Sequence, residues 1–99
     1  MLSIFRQFEP TTAAKSTPLI ETISYETILV SATKLTGLET VKLEIDLDGE
    51  RNEVTDLAGN IINLNASRPS VGLLAGFNYV FTKSVTASPS TIYVVAQTK

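Results

Sequence analysis

The chain has 99 residues, 43% of them hydrophobic and 18% charged, with a formal net charge of −2 and neither cysteine nor histidine. That length fits a single core, and area scaling allows roughly two-thirds of the unfolded chain's surface to be buried. Without imidazole or thiol, the usual zinc and copper ligands, the thiol nucleophile and the histidine base are all missing, and so small a net charge sets up no field for nucleic acid or acidic lipid.

The segment 1–18 reads as an extended N-terminal arm ahead of one β domain, 19–99. Its start lacks the basic residues and long apolar run of a secretory signal. Leu2, Ile4, Phe5 and Phe8 are followed by a polar stretch bounded by Pro10 and Pro18, and proline at both ends disfavours helix and promotes extended backbone. Such an arm either covers an edge of its own domain or docks Ile4, Phe5 and Phe8 onto a neighbouring subunit. No stretch approaches the ~20 apolar residues of a membrane span; the uncharged run from Pro69 to Thr82 is interrupted by Gly72, Gly76 and Asn78. The expected location is a virion if the resemblance described below holds, and otherwise the cytoplasm.

Beyond Pro18 the dominant rhythm has period two. In 19–32, Ile23, Tyr25 and Leu29 share one register and Ile20, Ile28 and Val30 the other, so the segment predicts two short strands, or one strand bulged near Ser24 to Thr27. Gly37 supplies a turn. From Thr40 to Leu47, Val41, Leu43, Ile45 and Leu47 alternate with Thr40, Lys42, Glu44 and Asp46, the pattern of a strand with one wet face. Asp48-Gly49 suits a tight hairpin turn. The return is a short strand or a long polar loop to Asn60, and Ile61, Ile62 and Leu64 make another short strand. Val71 to Thr82 reads as one central strand with Val71, Leu73, Ala75, Phe77, Tyr79 and Phe81 on a single face. Thr91 to Gln97 closes the chain as a β-branched and aromatic strand. Six or seven short strands without helices predict an all-β fold, an antiparallel sandwich or small barrel.

Chemistry-bearing patterns are sparse. The acidic loop 46–56 offers oxygen ligands for a hard cation, but its glycine falls at the fourth place and Leu57 stands where an EF-hand needs a bidentate glutamate. A solvated hairpin turn with Arg51 partly neutralising the cluster accounts for it, and nothing apolar raises a carboxyl pKa there as glycosidase chemistry requires. Lys15, Lys34, Lys42, Lys83 and Lys99 read as solvent-facing edge charges. Leu74 to Asn78 lacks the lysine of a phosphate loop, and Asn65-Ala66-Ser67 is a glycosylation triplet of low specificity. No catalytic residue, cofactor or metal ligand is expected. Tyr25, Tyr79 and Tyr93 are the residues that would contact a sugar in the alternative reading, a carbohydrate- or receptor-binding β module of fibre or adhesin type; aromatic residues in strands are more often core.

The arm between Pro10 and Pro18, together with Phe77-Asn78-Tyr79-Val80-Phe81 and Thr91 to Ala96, gives the chain an architecture that resembles the small decoration, cement or head accessory proteins of tailed bacteriophages. The resemblance covers the whole chain and rests on no diagnostic motif. It implies a non-enzymatic virion protein that stabilises a capsid by bridging subunits. Its partners would be copies of itself, often three, and a capsid or other particle subunit, with neither nucleic acid nor membrane involved.

Overall fold

A computed structural model describes every residue from Met1 to Lys99. It contains no helix and ten strands: β1 (Leu2–Arg6), β2 (Lys15–Ser16), β3 (Ile20–Glu21), β4 (Tyr25–Ala32), β5 (Thr40–Leu47), β6 (Glu50–Glu53), β7 (Asn63–Asn65), β8 (Ser70–Leu74), β9 (Asn78–Lys83) and β10 (Ile92–Thr98). They form a four-stranded sheet ordered β1-β10-β4-β8 and a six-stranded sheet in which β2 and β3 pair with β9, β9 with β5, and β5 with β6 and β7. Every pairing is antiparallel. The two sheets pack as a β-sandwich around Ile28, Val30, Val41, Leu43, Phe81 and Val94, with Leu64, Ile92 and Ala96 also buried.

The strand count exceeds the six or seven expected because β2, β3 and β7 have only two or three residues each, too few for a period to register. Strand β5 follows the alternation that predicts it: Val41 and Leu43 are buried and Ile45 half-buried, but Leu47, at the sandwich end, is exposed. Asp48 and Gly49 both take positive φ, 54° and 88°, and turn β5 into β6 with Leu47 opposite Glu50, as the Asp-Gly pair requires.

Two segments read as continuous are divided between the sheets. The expected single strand 71–82 breaks at 75–77, where Gly76 has φ 96° and the chain leaves β8 in one sheet for β9 in the other. Positive φ is accessible to glycine without Cβ strain, so Gly76 is the residue that lets the chain cross. The partner crossing, Thr22 to Ser24, separates β3 from β4. Thr22 is fully buried between the two: its Oγ1 accepts from Gly76 N at 2.8 Å and Phe77 N at 3.1 Å and donates to Phe77 O at 2.6 Å. One hydroxyl thereby fixes both crossovers.

Residues 1–18 lie along their own domain. β1 pairs with β10 through all five of its residues, Thr11 bridges Ser90, Thr12 O accepts from Thr86 N at 2.9 Å, and β2 pairs with β9. The arm thus crosses from the edge of one sheet to the edge of the other and closes that side of the sandwich. Lys83 corrects the expectation of a solvent-facing charge: it has no exposed surface, and its Nζ donates to Ala13 O at 2.6 Å and Ser84 O at 3.0 Å. It stands in the inward register of β9 with Tyr79 and Phe81, so strand alternation directs it under the arm, where carbonyl oxygens satisfy the ammonium.

Candidate functional site

Alternation fixes what each sheet shows to the outside. In the six-stranded sheet the outward residues are polar or charged: Lys42, Glu44 and Asp46 of β5 stand opposite Thr82, Val80 and Asn78 of β9, and Arg51 and Glu53 of β6 continue the row. Only Val80 among these is apolar, and it is buried. Lys42 lies 3.9 Å from Glu44 and Arg51 3.8 Å from Asp46, open pairs of little energetic weight.

The four-stranded sheet is different. Its inward residues, Ile28, Val30 and Ala32 of β4 with Ile92, Val94 and Ala96 of β10, form half of the core. Its outward residues lie in three cross-strand rows: Leu2, Gln97, Thr27 and Leu74; Ile4, Val95, Leu29 and Gly72; Arg6, Tyr93, Ser31 and Ser70. One charge stands among the twelve, Arg6, and it is held at the rim by Glu9 at 2.6 Å. Ile4 is 69% exposed, Leu74 75% and Leu29 40%. Central strands with apolar residues on both faces normally have both faces covered. Here β4 and β10 have only one covered.

The edges repeat the contrast. The six-stranded sheet ends in pieces of two to four residues, with Glu50, Arg51 and Glu53 on β6, the usual protection against edge pairing. The four-stranded sheet ends in β1 and β8, five residues each. Strand β8 carries no charge at all. Between it and β6 the sandwich opens into a cleft of about 450 Å³, walled by Ile45, Val54, Ile62, Leu73 and Phe77 and floored by Tyr79. A second groove of about 420 Å³ continues round the sandwich end, sharing Leu47 and Phe77 with the cleft, and carries Glu21, Asp46 and Asp48.

Of the arm residues singled out in the sequence, the structure leaves Ile4 on the outer face. Phe5 stands in the inward register opposite Val94 but remains 42% exposed at the sheet edge, its ring 6.1 Å from that of Tyr25, and Phe8 packs on the core beneath Lys15 Nζ at 5.7 Å. The three tyrosines share no platform. Tyr79 corrects the sugar-contact assignment: it is 2% exposed, stacks on Phe81 at 5.8 Å, and its hydroxyl donates to Leu74 O at 2.7 Å. Burial raises the Tyr79 pKa above 10.0. Tyr25 is half-buried against Phe5, and only Tyr93 joins the outer face. The carboxylates of 46–56 do not converge: Asp46 accepts from Gly49 N at 3.1 Å, whereas Asp56 accepts from Ala58 N and Asn60 N, both at 2.9 Å, and sits below its ordinary pKa chiefly through the Asn60 bond.

Sequence reasoning did not single out Leu29, Leu74 and Val95 as neighbours on one outward, apolar sheet face. The signal lay in the mixed registers of β4 and β10, where apolar residues occupy both phases. No helix is long and apolar enough to cross a membrane. No protein-family profile, curated protein or solved structure matches the chain.

Proposed function

We propose that this chain is a non-enzymatic assembly protein, a decoration or cement subunit of a virion shell, that works by burying the outer face of its four-stranded sheet against neighbouring protein. The observation that carries the reading is the contrast between the two outer faces, one charged and one with Ile4, Leu29, Val95 and Leu74 in adjacent rows. Exposed apolar surface on a sheet of this kind marks an interaction site. The particle role adds the architectural resemblance to capsid decoration proteins.

Size bears on how the face is used. With strands about 4.8 Å apart and residues about 3.3 Å apart, four strands of five residues span roughly 19 by 17 Å. That footprint is well below the roughly 800 Å² per partner of a standard stable interface. A single contact is therefore weak, and repetition on a lattice makes it effective. Sedimentation velocity tests the reading: the wild-type mass rises with concentration above about 100 μM, the range expected of a contact worth only about 5 kcal/mol, and Leu29→Lys stays monomeric because it places a charge in the central row. Wild type that stays monomeric to about 1 mM and does not co-sediment with particles overturns it.

A further inference from the structure

The side of the sandwich opposite the arm is open, and we propose that it is a strand-addition site for an extended segment of a partner protein, basic at its N-terminal end and apolar at alternate positions after that. This site uses the backbone edge of β8 and the inward cleft; Gly72 and Leu74 also stand in the outer-face rows, but the site does not require that face to be an interface.

The register of β8 supplies the backbone half of the site. Ala32 N donates to Pro69 O at 2.8 Å, and the antiparallel pairs step on by one residue from there, Ser31 with Ser70 and Leu29 with Gly72. Hydrogen-bonded pairs alternate along such a ladder, so the backbone groups of Val71 and Leu73 face β4 and those of Ser70, Gly72 and Leu74 face the free edge. Tyr79 takes up Leu74 O. The remaining donors and acceptors stand in a row on a strand without charge, proline or bulge, the features that ordinarily block pairing.

The cleft supplies the side-chain half. A strand laid on β8 points alternate residues inward, over the space walled by Ile45, Val54, Ile62 and Leu73. On the opposite side of the sandwich the chain's own arm covers the corresponding gap; here nothing from the chain does. Addition of one strand with side chains in apolar pockets is a known mode of peptide capture, the backbone giving affinity and the pockets specificity.

Charge fixes the direction. All pairings in this fold are antiparallel, so an added antiparallel strand has its N-terminal end beside Leu74. That end meets the groove that joins the cleft through Leu47 and Phe77 and bears Glu21, Asp46 and Asp48. Arg51 lies 3.8 Å from Asp46 and neutralises one of the three in part. A segment with lysine or arginine ahead of its apolar run matches the trough along its length. A second copy paired β8 to β8 is a poorer match, because it brings two acidic β6 edges together.

The test uses the full chain and two synthetic peptides of the same composition. One has two lysines followed by valine or leucine alternating with threonine, and the other has the lysines at the C-terminal end. Fluorescence anisotropy at low salt should show the first binding about threefold or more tighter than the second, the size of effect expected from exposed ion pairs. Gly72→Pro removes an edge donor that β4 does not use. A Cβ there meets only Ile28 O at 3.9 Å, and proline is tolerated on an edge facing solvent. This variant should lose about tenfold or more in affinity, and Leu29→Lys, on the outer face, should lose none. If Gly72→Pro fails to fold, N-methylation of the peptide amides that face β8 should abolish binding to wild type. Failure of both peptides to bind at about 1 mM, or equal affinity for wild type and a folded Gly72→Pro, overturns the proposal. So does self-association that Gly72→Pro abolishes and Leu29→Lys leaves intact, which assigns the edge to a second copy.

Discussion

Lys83 is the residue whose role differs most from its sequence reading. Between Thr82 and Ser84 it looks like an edge charge, yet the inward phase of β9 puts it under Ala13, with carbonyl oxygens as its only hydrogen-bond acceptors. Desolvation pulls its ammonium below the ordinary 10.5, and the Glu39 carboxylate opposes the shift in part. Glu39 itself sits below 4.5 because Ala87 N and Thr36 N donate to it, with a smaller contribution from Lys83. The consequence for stability follows from linkage. Between the lowered pKa and 10.5 the unfolded chain holds the Lys83 proton more tightly than the folded chain, so this group adds stability as pH rises through that window. Urea unfolding of wild type, relative to Lys83→Met, should therefore gain stability as pH increases toward 10.0. Above that pH the absolute stability of both proteins also falls, because Tyr79 has a raised pKa and unfolded tyrosine ionises first. A difference between the two proteins that stays flat, or narrows in the other direction, contradicts the burial of Lys83.

At the scale of elements, the two crossovers decide which strands belong to which sheet. Thr22 and Gly76 act together there, since the Thr22 hydroxyl accepts from the Gly76 amide. Thr22→Val keeps the shape and removes the hydroxyl, leaving the Phe77 amide without its 3.1 Å acceptor, and should destabilise by about 1–3 kcal/mol in urea titrations. Gly76→Ala forces a Cβ onto a φ of 96° and should cost about 1–3 kcal/mol. The double variant should cost less than the sum, because the two changes damage one hydrogen-bonded unit. Full additivity would mean that the crossovers are held independently. The β5–β6 hairpin was legible because its turn chemistry is local, with Asp48 and Gly49 adjacent in the chain. The break at Gly76 was not, because Phe77, Tyr79 and Phe81 keep the same parity as Val71 and Leu73, and parity alone does not reveal a change of sheet.

For the whole molecule, the arm and the open cleft are two answers to one problem, how to cover the sides of a two-layer sandwich. The arm covers one side with β1, the Thr11–Ser90 bridge and β2. Further along, Thr17 N donates to Phe81 O at 2.8 Å while Thr17 Oγ1 accepts from Phe81 N at 3.1 Å. Deleting residues 1–18 should accordingly reduce stability before it affects any association. It exposes the β10 edge, uncovers Lys83 and removes both Thr17 bonds, so thermal unfolding should show a large loss of melting temperature or no folded state. A truncated chain that melts like wild type would mean that the arm is not part of the fold. Because deletion disturbs the core, the outer-face and edge substitutions are the cleaner probes of assembly.

The sequence by itself determined the all-β class, the wet face of β5, the Asp48-Gly49 turn and the absence of imidazole and thiol chemistry. Each follows from residue type or from neighbours along the chain, which act whatever the distant parts of the molecule do. Only the tertiary structure decided that Lys83 and Tyr79 are interior, that the segment 71–82 serves two sheets, and that Ile4, Leu29, Val95 and Leu74 share one uncovered surface. Those are properties of pairing between strands distant in sequence: a two-residue rhythm tells which residues share a face of a strand, while the order and register of the strands tell what that face meets.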